Sequence, residues 1–174
     1  MKIKKFIIIL LLFILLPNTY SFSQNIAYAN LDIIVKNSNV GKKIIAHFTE
    51  KNNQILEEYK ANEKKFKEQE NQLISQKNIL EKEEYSKKVQ ILTNEIKKFN
   101  KENNEKLSKI NSDKEKISKS FLKEINSILK DFAEKNDIDI IISSKQMLIG
   151  KSNLDVTDKL LQNVNDKIKK FDIN

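Results

Sequence analysis

Apolar residues recur at helical intervals through most of this chain and at strand intervals only near its two ends. From Lys42 to Asn136 there is no glycine, proline or cysteine, so the stretch offers no helix breaker. Within it Ile45, Tyr59, Phe66, Leu73 and Leu80 fall on one seven-residue lattice, with Asn52 as a polar member. Phe48 and Ile55 hold the companion position, which Asn62, Gln69 and Gln76 continue as polar residues. A second stripe runs through Val89, Leu92, Ile96, Phe99, Ile110 and Ile117, then Phe121, Ile125, Ile128 and Phe132. The step from Ile117 to Phe121 breaks strict seven-residue phase, and the wider spacing to Phe132 relaxes a left-handed supercoil. The two stripes do not share phase across the polar segment 81–88. This pattern predicts a long antiparallel helical hairpin over 42–136, its tip near 78–84, with arms of about 60–70 Å.

The flanks predict a small β body. Ile26–Leu31 reads as a short strand, followed by a brief helical turn at 32–36 and a polar loop at Asn37, Ser38 and Asn39. Ile138–Ser143 is a β-branched run, and Met147–Gly150 reads as a second short strand after a turn at Ser144, Lys145 and Gln146. A last helix is expected from Asp155 as its cap, with Leu154, Val156, Leu160, Leu161, Val164, Ile168 and Phe171 as its apolar face. Asp158 and the late Lys167, Lys169 and Lys170 suit its dipole. A single straight rod would leave Ile26–Leu31 without a partner, and isolated strands leave backbone groups unpaired. Pairing it with Ile138–Ser143 requires the helical segment to go out and return.

The first residues read as an export signal. Lys2, Lys4 and Lys5 precede the unbroken apolar run Phe6–Leu16, which Pro17 ends. That run is short of the roughly 20 residues a spanning helix needs. Small residues at Ser21 and Ser23 place cleavage after about Ser23 and the protein in the periplasm. The expected organisation is therefore a signal peptide at 1–23, body at 24–41, helical hairpin at 42–136 and body again at 137–174. The fold class is α+β: a small β body with short helices carrying a long coiled-coil tentacle.

Composition narrows the function. With no cysteine, no disulfide staples the chain. Every basic residue is Lys, which removes the bidentate Arg contacts to phosphate or guanine. Residues 42–136 hold 22 Lys against 17 Asp or Glu, so the excess positive charge of the exported chain lies on the hairpin. Most of it reads as a solvated helix face laced with i, i+4 pairs. Despite a pI near 9.4, no aromatic platform accompanies the charge, so nucleic acid is not an expected partner. A site for chemistry is hard to find. His47 is the only histidine and sits on a helix between Ala46 and Phe48; Glu57–Glu58 and Glu83–Glu84 read as solvated helix charge. There is no Gly-rich phosphate loop and no Cys or His pair for zinc, so neither an enzyme nor a cofactor is expected.

Two segments together resemble the OmpH-like (Skp) family of periplasmic chaperones. One is Asn25–Leu31 followed by Gly41 and Lys42. The other is Asp137–Ile142, then Met147–Gly150, then Asp155–Asp158 before the last helix. The resemblance implies a homotrimer whose pooled strands and small helices form a body, with three hairpins around a cavity that holds unfolded outer-membrane proteins. It implies neither ATP nor metal, and it adds contact with an anionic membrane or lipopolysaccharide as a further partner. Family positions that carry Arg must here be Lys or polar, so no lipopolysaccharide patch is assigned by residue. A chain with three short strands has too little core to close its own body, which agrees with assembly.

On this basis Ile26, Tyr28, Leu31, Ile138, Ile140, Ile142, Met147 and Ile149 are expected in the oligomer body core. Lys64, Lys65, Lys67, Lys87, Lys88, Lys97 and Lys98 are candidates for a client-facing basic surface, and Tyr85 near the tip for client contact. The function read from the sequence is an ATP-independent holdase for unfolded envelope proteins. The alternative is a structural or adaptor hairpin that bridges envelope components through its tip.

Overall fold

The computed structural model describes residues 24–173. The expected signal peptide, 1–23, lies outside them. In chain order the elements are β1 (Ile26–Ala29), α1 (Leu31–Asn37), α2 (Asn39–Ser75), α3 (Lys82–Lys135), β2 (Ile140–Ser143) and α4 (Thr157–Lys167), with short 3-10 turns at Ser144–Gln146 and Ser152–Leu154. The architecture is α+β, two long antiparallel helices rising from a body built on a two-stranded sheet.

The loop expected at 37–39 is a single-residue joint. Ser38 is fully buried and caps α2: its Oγ accepts from the Gly41 amide at 3.1 Å and donates to the Val35 carbonyl at 3.1 Å. Asn30 caps α1 in the same way, its Oδ1 accepting from the Ile33 amide. The two helices therefore meet with no free backbone between them.

The arms are unequal. At ~1.5 Å per residue, α2 with 37 residues spans about 55 Å and α3 with 54 spans about 80 Å. At its C-terminal end α3 carries Phe121, Ile125, Ile128 and Phe132 into the body, where they are buried. The chain reverses over Gln76–Glu81, slightly before the expected tip. Ile79 and Leu80 both donate to the Gln76 carbonyl at 3.0 Å, and Glu83 and Glu84 already stand in the first turn of α3. Acidic residues at a helix start are favoured by its dipole, so polarity alone did not mark those residues as loop.

Along the arms the shielded positions keep the heptad's alternating spacing, Asn62, Phe66, Gln69 and Leu73 on α2 against Leu92, Ile96, Phe99 and Asn103 on α3, and only the root departs from it. Ile44 and Phe48 are buried, whereas Ile45, expected in the stripe, is 48% exposed. Higher up, Phe66 meets Phe99 with ring centroids 5.5 Å apart, and Tyr59 meets the same Phe99 at 5.9 Å. Lys106 binds both carboxylate oxygens of Glu58 at 2.7 Å across the arms.

In the body, β1 and β2 pair in parallel with Ile26 opposite Ile140 and Tyr28 opposite Ile142, the hairpin acting as the crossover. The far edge of β1 is taken near Asp155, where the Val156 amide donates to the Tyr28 carbonyl at 2.9 Å. Met147–Gly150 is not the second strand expected. Gly150 instead lies against Met147 and Tyr28, so close that a side chain there would push the end of Met147 aside and press on the Tyr28 ring. The last helix begins at Thr157 rather than Asp155, with the Asp155 carboxylate accepting from the Thr157 amide at 2.9 Å.

Candidate binding surfaces

The sheet has two unlike faces because successive strand residues point to opposite sides. Ala27 and Ala29 turn inward and are buried, with Ile141 packed against the same core. Small alanines let the sheet approach the helices closely. The opposite face carries Ile26, Tyr28, Ile140 and Ile142. Of these Ile26 is 40% and Ile140 46% exposed, while Tyr28 and Ile142 are half-buried.

The residues expected in an oligomer core thus fall into two groups. Leu31 and Ile138 pack against the core of the single chain. Ile26, Tyr28, Ile140 and Ile142 form the outward sheet face, and half-buried Met147 joins Tyr28 beside Gly150. Ile149 stands clear of the chain at 89% exposure, next to a wholly exposed Leu148. The buried Ala27, Ala29 and Ile34 were not singled out from the sequence; the alternation along β1 was the available signal for the two alanines.

An open cleft of about 360 Å³ adjoins this region, lined by Ala29, Leu31, Ile34, Leu129, Ala133 and Ile141 among others. Asn126, Lys130 and Ser143 add polar groups to its wall. Two ion pairs flank the body: Lys145 with Asp32, and Lys167 with Asp131 at 2.6 Å. In each, the hydrogen bond from the lysine holds the aspartate carboxyl below its ordinary range, against a smaller opposing effect of desolvation.

The candidate lysines are all exposed but do not converge on one face. Neighbouring helix residues stand about 100° apart. Lys65 and Lys67 therefore flank the inward Phe66 on opposite sides, and Lys64 points away from the partner helix. Lys97 and Lys98 likewise straddle the line from Ile96 to Phe99. Lys87, Lys88 and Lys98 pair with Glu83, Glu84 and Glu102 along their own helix. Among the described residues Lys64, Lys65, Lys67 and Lys97 form no salt bridge, and neither do the neighbouring Glu63, Glu68, Glu70 and Glu95, so the unpaired charge at mid-hairpin is mixed.

At the tip Ile74 is 64% and Ile79 80% exposed, while Tyr85 is half-buried. His47 is half-buried, with Nε2 shielded from solvent and unpartnered among the described residues. No group of His, Cys, Asp or Glu among those residues is arranged to hold a metal. None of the described helices is long and apolar enough to cross a membrane.

No curated protein sequence matches the chain significantly. Its fold is similar to the crystal structure of an OmpH-like protein from Caulobacter crescentus CB15, described there as a candidate outer membrane chaperone. The TM-score is 0.78 at 13% identity, with 86% of this chain and 89% of that one covered. The family model for outer membrane protein (OmpH-like) matches residues 25–164, a span that takes in the sheet, both arms and most of α4. The chain belongs to the OmpH-like family.

Proposed function

We propose that this protein is an ATP-independent periplasmic holdase that keeps unfolded outer-membrane proteins from aggregating. It works as a homotrimer. Body segments 24–41 and 137–174 assemble around the threefold axis, and the 42–136 hairpins enclose the client. The observation that carries this reading is the outward sheet face. Ile26 and Ile140 on that face are left at 40% and 46% exposure, and Leu148 and Ile149 in the loop after β2 at 104% and 89%. Burying them against further copies removes apolar surface worth about 25 cal/mol per Å² from water. The arms then project from a closed body, and their mixed, mildly cationic surface holds a chain by diffuse attraction rather than in a fitted pocket.

The decisive experiment is to dilute an unfolded β-barrel protein into buffer with or without the exported chain, Gln24–Asn174. Suppressed light scattering at about one trimer per client is the expected result. Unchanged aggregation would remove the holdase reading. The exposed Ile74 and Ile79 favour a second reading, an adaptor that bridges envelope components through its tip. Under that reading, replacing both by Ser would abolish partner binding and leave aggregation suppression absent throughout.

A further inference from the structure

The C-terminal helix fastens three parts of the molecule together. The Asn30 amide, just after β1, donates to Thr157 Oγ1 at 2.9 Å. The Asn39 amide, at the start of α2, donates to Asn165 Oδ1 at 2.7 Å. Lys167 binds Asp131 on α3 at 2.6 Å. After Ile168, whose amide still donates to Val164, the chain leaves regular secondary structure. Phe171 then reaches Phe121 on α3, the ring centroids 5.4 Å apart, edge to face. Ile173 also packs against the core.

The spacing shows how this segment lies. Asp131 and Phe121 are ten residues apart on one helix, about 15 Å. Lys167 and Phe171 are four residues apart, at most about 14 Å when extended. The strap therefore runs along α3, away from the sheet and up toward the arms. It ends where Phe121 packs in the same core as Ile44 and Phe48 of α2, the level at which the two arm helices first close on each other.

We infer that residues 169–173 are a latch that sets how firmly the arms are mounted on the body. Ile168 stays in the core as the pivot, and beyond it no residue pairs with the β1–β2 ladder. With the latch seated, Phe121 is clamped between α2 and the strap and the arm root is stiff. With it lifted, the root loses the Phe171 contact and keeps α2–α3 packing and the ties of α4 at Asn165 and Lys167, and the arms gain freedom to splay. The inference concerns the mounting of the arms and does not depend on the holdase reading.

Hydrogen exchange read peptide by peptide tests this on the full exported chain carrying Phe171→Ala, with Lys169→Ala as a surface control. The expected result is several-fold faster exchange in 40–48 and 117–125. The mid-arm segments 59–66 and 96–103, and β1 and β2, should keep their wild-type rates. Unchanged exchange at the root would overturn the latch. So would a uniform increase across root and sheet, which would make Phe171 an ordinary core residue. A distance measurement between labels at Asn153 and Lys77 supplies a second readout. A broader distribution in Phe171→Ala supports the latch, and an identical one overturns it.

Discussion

The backbone carbonyl of Val35 occupies the space that a side chain at Gly41 would need. Ser38 fills the remaining gap, its hydroxyl bonded to both residues. This contact is what lets α1 turn into α2 across one buried residue. Gly41→Ala should therefore destabilise the fold by about 1–3 kcal/mol, because the clash with fixed backbone outweighs alanine's gain of about 1 kcal/mol in helix propensity. Thermal unfolding at fixed protein concentration checks this; a melting point at or above wild type would refute it.

The ion pairs of Asp32 and Asp131 give stability a pH dependence of known sign. Folding holds both carboxyls below their ordinary range. The unfolded chain therefore takes up protons first as the pH falls. The stabilisation is complete above the unfolded carboxylate pKa of about 3.9 and is lost as pH drops through and below it. Both pairs are open to solvent, so salt weakens them. Urea unfolding of Asp131→Asn at pH 7 and pH 3 should show a smaller acid-induced loss than wild type. An equal loss in both proteins would contradict the assignment.

Phe99 is the aromatic hub of the middle arm, touching both Tyr59 and Phe66 where neighbouring interface positions are the polar Asn62, Gln69 and Asn103. Aromatic contacts of this kind contribute about 0.5–1.5 kcal/mol each beyond their buried area. Phe99→Ala should loosen the arms locally, seen as faster hydrogen exchange in 59–66 and 96–103 while β1 and β2 keep their protection.

Leu148 and Ile149 should be the first residues to fail in assembly. Replacing both by Ser removes exposed apolar surface and breaks no contact of the folded single chain. Light scattering on a sizing column should show the variant at lower mass than wild type, with an unchanged far-ultraviolet dichroism spectrum. A wild-type mass for the variant would shift the assembly surface elsewhere.

Lys64, Lys65 and Lys67 should act through long-range attraction. Reversing all three to Glu should weaken capture of an unfolded client strongly at low ionic strength and little at high, since the Debye length shortens from about 30 Å at 0.01 M to about 3 Å at 1 M. Equal weakening at both would point to direct contact instead.

The long arms were readable because their signal is local. Absence of Gly and Pro across 42–136 and a recurring apolar stripe determine helix, and the need to pair Ile26–Ala29 with Ile140–Ser143 determines that the helix returns. The family resemblance was readable from the same end segments that form the sheet and its surroundings. Tertiary structure decided the rest. Met147–Gly150 has the composition of a strand, but strand formation requires an available edge, and the far edge of β1 is engaged near Asp155. Ile45 lies on the heptad lattice, yet the closer packing of Ile44 and Phe48 at the root turned it outward. The lysines of the hairpin were legible as charge but not as a surface, because facing depends on where the partner helix lies. Sequence alone thus determined the long helices and the two strands that pair, through periodicity that each segment carries by itself. Which face each segment buries was decided by the neighbours it meets, and those come from parts of the chain more than a hundred residues away, such as Asp155 for Tyr28 and Thr157 for Asn30.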